Sequence, residues 1–208
     1  MPGLENWRRS RLASAGVDTL FYVSLIDNLA SILASGILPK NRTPSSHRSF
    51  AEESVQERRH QKIVELSDRS RVSVHDCVPL YLTPRTPTLY ARRELQSSMF
   101  FIDVSSEALC NQSSQFAFSD GNAGANATQF YRNLNDLDKI PFDVVRANYW
   151  TDFSDGSRKR CSEFLVSPSV PPDFFQRIVV AGRGGLDRCV SAVQGRIPVV
   201  VEPAYFFV

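Results

Sequence analysis

The chain has 208 residues, 42% of them hydrophobic, which suits one domain with a substantial buried core and leaves too little for two. Its 24 basic and 22 acidic residues give a net charge of +2, which excludes a uniformly basic nucleic-acid binder; the cations instead cluster at Arg8, Arg9 and Arg11, at Arg58, Arg59 and Lys62, at Arg92 and Arg93, and at Arg158, Lys159 and Arg160. Cys77, Cys110, Cys161 and Cys189 form no C-x-x-C pair and have no histidine at ligand spacing, so neither a metal site nor a disulfide framework is expected.

Met1 to Glu5 lack a basic start followed by an apolar run, and no apolar stretch is long enough to span a bilayer. The expected location is the cytoplasm, where the sequon Asn126-Ala127-Thr128 carries no meaning for glycosylation. The whole chain, 1–208, reads as one domain, with residues 1–18 as a peripheral extension.

Phe21 to Ser24 reads as a strand, followed by a helix with Ile26, Leu29, Ile32 and Leu33 on one face. Gly36 is placed to end that helix, and Pro39 prevents its resumption. Residues 40–49 are polar and turn-rich. A helix is expected over 50–66, with Glu52 and Glu53 in its first turn. Val78 to Leu82 reads as a strand whose Pro79 suggests an edge position or an irregular start, and Pro84 and Pro87 stiffen the loop after it. Met99 to Val104 is the clearest buried strand, and Phe116 to Phe118 a shorter one. Asp120 is placed to cap a helix from about Ala123 to Leu134, and Pro141 suits the first turn of another that ends before Asn148. The remainder reads as strand (161–166), strand (178–181), helix (186–194) and strand (197–201). Strands and helices mix without a βαβ rhythm, which predicts an α+β fold.

Four segments carry candidate chemistry. In Cys161 to Val166 a strand puts apolar residues around Glu163, so its carboxylate is paired, solvated in a cleft, or shifted in pKa; it is equally readable as a strand-end glutamate bonded to a nearby arginine. Glu57-Arg58-Arg59-His60 offers guanidinium groups suited to phosphate, or a solvated helix face. Ser119 to Ala123, with Asn126, Thr128, Phe130 and Tyr131, combines a turn and small residues with core aromatics. Val78 to Tyr90 carries a strand into a stiff loop bearing Tyr and Arg. Gly182-Arg183-Gly184-Gly185 fails the spacing of a dinucleotide-binding turn because position 187 is Asp, and nothing local supports a Cys–His hydrolase.

Taken in order, these pieces resemble the DarT family of DNA ADP-ribosyltransferases, the toxins of bacterial toxin–antitoxin pairs. The matching residues are Phe21 to Leu29 with Ile32-Leu33 and Gly36-Ile37-Leu38; Glu57-Arg58-Arg59; Val78 to Tyr81 with Pro84 to Pro87 and Leu89-Tyr90; Asp120 to Ala123 with Phe130-Tyr131; Asp136 to Asp138; Tyr149 to Asp152; and Glu163 to Val166. The match runs from about residue 20 to 180. Each piece is weak alone, and the ordered set is specific.

The resemblance implies a single ADP-ribosyltransferase domain with a central mixed or antiparallel sheet flanked by helices. It implies Glu163 as the catalytic carboxylate and Arg58, the first arginine of E-R-R, as a second functional residue that holds a pyrophosphate or steers the acceptor. NAD⁺ would be the co-substrate, held by Tyr22, Ser24, Asn28, Gly36, Leu38, Tyr81 and Arg85. The acceptor would be a thymine or guanine of single-stranded DNA, met by Asn122, Ala123, Thr128, Tyr149 and Arg160. No metal is needed. The implied partner is an antitoxin whose macrodomain removes the ADP-ribose. This chain departs from the family at Tyr22, where the early H-I-T strand has histidine, and at Leu80 and Leu82, where phenylalanine is common. The readings set against this one are an ADP-ribosyltransferase acting on RNA or protein, and an inactive nucleic-acid-binding module.

Overall fold

Alternating apolar residues decide the architecture. The computed structural model describes residues 2–207. In chain order it contains α1 (Pro2–Ser14), β1 (Thr19–Leu25), α2 (Leu29–Ser35), α3 (Glu53–His60), β2 (Ile63–Glu65), β3 (Arg71–Ser73), β4 (Val78–Tyr81), α4 (Pro87–Tyr90), β5 (Met99–Ser105), β6 (Gln115–Ser119), β7 (Phe130–Tyr131), α5 (Phe142–Arg146), α6 (Gly156–Lys159), β8 (Glu163–Ser167), β9 (Phe175–Val180), α7 (Arg183–Val193) and β10 (Val199–Val201). Eight strands form one sheet in the order β10-β9-β5-β1-β4-β8-β6-β7, and β2 and β3 form a separate hairpin. Within the large sheet β10 and β9 are parallel and the other pairs antiparallel, the α+β arrangement expected.

One face is a dry core. Leu20, Leu80, Phe100, Ile102, Phe116, Phe118, Phe164 and Ile178 are fully buried there, covered by Leu12 of α1, Leu29 and Ile32 of α2, and Cys189 and Val193 of α7. Each such side chain contributes roughly 1.5–3 kcal/mol on burial. The other face carries two apolar patches. Val23, Leu25, Met99, Phe101 and Val179 pack on Leu89 and Phe206; Ala117 and Leu165 pack on Val64, Leu66, Val74 and Ala123. Tyr81 and Glu163, paired across β4 and β8, lie between these patches.

Gly36 ends α2 as expected, at φ +77°, and a Cβ there would stand 2.6 Å from the Val170 carbonyl oxygen. Four expectations are corrected. The first eighteen residues are no peripheral extension: α1 buries Leu12, Val17 follows it into the core, and Arg8 donates to the Leu109 carbonyl at 3.0 Å. The helix expected over 50–66 stops at His60, because the β-branched Ile63 and Val64 enter β2. The helix expected over 123–134 is absent. Residues 120–129 form a loop, and Phe130-Tyr131 adds a strand to β6. Finally, Pro79 lies in a central strand. It is tolerated because β4 meets β1 only at Phe21↔Tyr81, so no ladder flanks the proline on that side.

Among the described residues no helix is long and apolar enough to cross a membrane, and no group of three or more His, Cys, Asp or Glu is placed to hold a metal. All four cysteines are free and buried.

Candidate active site

Glu163 opens β8 with its side chain pointing to the patchy face, and none of it is exposed. A buried carboxylate requires a charge partner and hydrogen bonds. Arg59 supplies the first as a two-pronged pair, Nη1 to Oε1 at 2.8 Å and Nη2 to Oε2 at 3.0 Å. The Ala123 amide donates to Oε1 at 3.0 Å. Burial disfavours the Arg59 charge, but attraction to Glu163 and the hydrogen bonds between them outweigh it, leaving the guanidinium above its ordinary pKa.

The arginine that pairs with Glu163 is Arg59, the one after the Arg58 expected to hold a pyrophosphate or steer the acceptor. Arg58 is exposed on the outer side of α3, while Arg59 is 8% exposed and reaches the carboxylate. The signal was present in the helical period. Val55 is the only apolar residue of α3, and Arg59 follows it by four positions, so the two share the inward face.

Arg59 forms part of the wall of a cleft of about 1050 Å³, open mouth included. β1 contributes Tyr22 and Ser24, β4 contributes Pro79 and Tyr81, α4 contributes Thr88, and the loop after β6 contributes Asn122. A strap running from Leu38 to Ala51 forms the opposite wall. The lining cations are Lys40, Arg48 and Arg59, with His47 and His75 beside them, and no carboxylate lines the cleft among the described residues. That lining suits an anionic ligand.

The strap has no sheet of its own and is tied down by side chains. Asn28 donates to the Ser24 hydroxyl at 3.0 Å and the Arg48 carbonyl at 2.9 Å, and accepts from the Arg48 amide at 3.0 Å. His47 bonds to Ser31 at 3.0 Å, and Arg92 donates to the Phe50 carbonyl at 2.8 Å. Asn28 therefore lines the cleft and clamps its wall.

Burial pushes the Tyr22 phenol up to about 12, against the opposing hydrogen bond to Ser24, and the Tyr81 phenol is raised by burial and by the Glu163 charge. Both remain neutral hydroxyls facing the cleft. His75 is lowered to about 4 by burial, then by Arg59, His60 and Lys40. Its buried Nε2 has no hydrogen-bond partner.

Of the other residues picked from sequence, Tyr22, Ser24, Asn28, Leu38, Tyr81 and Asn122 line the cleft. Gly36 does not; it turns the chain beside Val170. Ala123 is buried and contributes its amide. Thr128 is buried and donates to the Asn122 carbonyl at 2.7 Å. Arg160 is 5% exposed, with Nε donating to the carbonyl of Arg85 (2.9 Å) and Nη1 to those of Val144 (3.0 Å) and Ala147 (2.6 Å), so it ties the loop before α4 to the end of α5 and is nearly closed to solvent. Arg85 is exposed outside the cleft and stacks on Phe207 at 4.4 Å. Tyr149 is 69% exposed. Lys40, His47, Arg48, His75 and Thr88 also line the cleft without being singled out as binding residues from sequence, where Arg59 figures only as one guanidinium of its segment.

A family model described as "ssDNA thymidine ADP-ribosyltransferase, DarT" matches residues 21–207. The chain belongs to the DarT family. A DarT relative from Thermus sp. (strain 2.9), a DNA ADP-ribosyl transferase, is 30% identical over 169 residues, 77% of this chain and 80% of the relative. The solved structure of Thermus sp. 2.9 DarT in complex with ADP-ribosylated ssDNA superposes with a TM-score of 0.83 at 26% identity, covering 91% of this chain and 96% of that one. A fusion of DNA ADP-ribosyl transferase and DNA ADP-ribosyl glycohydrolase from Thermosipho africanus is 29% identical over 200 residues, 90% of this chain and 49% of the fusion. As a DarT-family member the chain is a single-stranded-DNA thymidine ADP-ribosyltransferase, which selects thymine from the two bases left open by the sequence.

Proposed function

We propose that this cleft transfers ADP-ribose from NAD⁺ to thymine in single-stranded DNA, with Glu163 as the catalytic carboxylate and Arg59 as its partner. The observation that carries the reading is the Arg59–Glu163 pair at the back of a carboxylate-free cleft. The lining fits NAD⁺. Lys40, Arg48 and the partnerless His75 Nε2 suit a pyrophosphate, and Tyr22 and Ser24 offer a ring and hydroxyls for the nicotinamide end. Tyr22, in the place of the family histidine, keeps a neutral hydrogen-bonding group there.

In the reaction the bond between ribose C1′ and nicotinamide breaks, and positive charge develops on the ribose as in glycoside hydrolysis. The thymine ring nitrogen bonds to C1′, and its proton passes to the Glu163 carboxylate. Arg59 stands between the cleft and the fully buried carboxylate, so the acceptor reaches Glu163 once Arg59 yields an oxygen to it.

The DNA has a fitting rim. Tyr90, Trp150 and Phe207 meet edge to face at 5.2–6.1 Å, Arg93 lies over Tyr90 and Arg85 over Phe207, and exposed Tyr149 adjoins them. Aromatic faces interleaved with cations stack single-stranded bases without reading sequence. Tyr90 is two residues from Thr88 in the cleft wall, so a strand lying on this rim enters the site. Tyr149 and Arg85 are read here as strand contacts. The reading places the enzyme in the cytoplasm beside a glycohydrolase that reverses the modification, an activity joined to the transferase in the Thermosipho fusion.

The test is Glu163→Gln, which keeps the shape while replacing one acceptor oxygen with an NH2 donor and removing the charge that takes the proton. We expect ADP-ribosylation of a thymidine-containing oligonucleotide, measured by mass spectrometry, to fall about 10²- to 10⁴-fold. Retention of wild-type modification removes Glu163 from the catalytic role.

A further inference from the structure

One half-hidden cation has no part in the chemistry above. Arg158, in α6, has a side chain 13% exposed. Its Nη1 donates to Asp120 Oδ1 at 2.7 Å and to Thr128 Oγ1 at 3.3 Å, and its Nε to Asp155 Oδ2 at 2.5 Å. Its own carbonyl accepts from the Asn122 amide at 3.0 Å. A Cβ on Gly121 would stand 2.4 Å from Arg158 Nη1, 2.9 Å from its Cγ and 3.0 Å from its carbonyl oxygen. The arginine therefore lies flat on the loop backbone, where only glycine leaves room for it.

Asp120 and Thr128 are the two ends of the loop that follows β6. Arg158 draws them together, and the loop so closed touches both members of the buried ion pair. The Ala123 amide bonds to Glu163 Oε1, and a Cβ on Gly124 would sit 3.4 Å from Arg59 Cγ. Lys62 Nζ donates to the Ala125 carbonyl from the other side. The same loop places Asn122 in the cleft wall.

We propose that Arg158 is a positioning residue for the transfer reaction: it fixes the 120–128 loop so that the Ala123 amide orients the Glu163 carboxylate and Asn122 is held at the acceptor end of the cleft. The proposal rests on the reading of Glu163 as proton acceptor. Arg158 touches neither substrate. With its Nε and Nη1 committed to Asp155, Asp120 and Thr128, it acts through the loop, where a displacement of about 1 Å costs on the order of 10²-fold in rate.

The experiment compares Arg158→Ala, Arg158→Lys, Asp120→Ala and the Asp120→Ala/Arg158→Ala double variant, using NAD⁺ and an oligonucleotide with one thymidine, well below each melting temperature. We expect R158A to lower kcat on the order of 10²-fold while the KM for NAD⁺ stays within about threefold. R158K, which keeps the charge and loses the fork, falls between R158A and wild type. The double variant is no slower than the slower single one, because both break the same brace. In a Glu163→Gln background R158A adds less than about threefold. R158A with wild-type kcat overturns the proposal, and so does a strictly multiplicative loss in the double variant. A defect confined to the oligonucleotide KM and abolished at low salt also overturns it, marking Arg158 as a phosphate contact. If R158A does not fold, R158K and D120A carry the same comparison. Full activity of E163Q overturns the catalytic reading itself, whereas wild-type activity of R158A beside an inactive E163Q overturns this proposal alone.

Discussion

Replacing Arg59 with alanine removes the only side-chain partner, among the described residues, of a carboxylate with no solvent exposure. One hydrogen bond remains, from the Ala123 amide. Breaking a buried pair by deleting one member destabilises by about 3–5 kcal/mol, since the surviving charge has neither water nor a counterion. For a domain of this size each kcal/mol moves the melting temperature by roughly 2–4 °C, so Arg59→Ala lowers it by roughly 6–20 °C. Arg58→Ala is the control: an exposed position one residue away, where substitution stays within about 0.5 kcal/mol. Thermal unfolding followed by circular dichroism measures both, and oligonucleotide modification below the lower midpoint measures activity. We expect Arg59→Ala to lose both stability and activity and Arg58→Ala to lose neither. Equal losses in the two variants, or a melting temperature for Arg59→Ala within about 2 °C of wild type, would refute the assignment of Arg59 as the partner of Glu163.

Two further outcomes follow from the cleft walls. Asn28→Ala deletes the bonds joining Ser24 and Arg48, and if these are worth about 1.4 kcal/mol of strap ordering, the KM for NAD⁺ rises about tenfold; an unchanged KM shows that the strap does not depend on this clamp. His75 has an ordinary pKa of 6.5 and is lowered to about 4 in the fold, so folding favours its neutral form. Its contribution to stability is complete above pH 6.5 and declines as pH falls towards 4, by at most on the order of 3 kcal/mol. Urea unfolding of His75→Asn should show a shallower loss over that interval than wild type, and parallel curves would contradict it.

The sheet was legible wherever apolar residues alternate or run together. Met99 to Val104 and Glu163 to Val166 emerged where expected because their packing follows directly from the pattern. The 120–129 loop misled because its small residues, preceded by Asp120, imitate a capped helix. The Asp120 side chain instead accepts from the Gln129 amide and from Arg158, closing a loop that no local period describes. Arg160 looked like a DNA contact because sequence shows a charge and not the carbonyls of Arg85, Val144 and Ala147 that enclose it. Glu163 was legible through its strand, while which nearby arginine pairs with it is decided by the inward face of α3, which puts Arg59 and not Arg58 beside the carboxylate. The strap was readable as a loop, but its cations were not readable as a cleft wall, since their ties run to Asn28, Ser31 and Arg92 on other elements.

Arg59 and Glu163 are 104 residues apart in the chain, and Phe206, which seals the apolar patch beside them, comes later still. Until Glu163 has been made, Arg59 has no counter-charge and β4 lacks its β8 neighbour, so the first half of the chain cannot form the site alone. The cleft is thus a product of completion: a nascent or truncated chain carries most of the binding residues, yet lacks the charge pair and the seal.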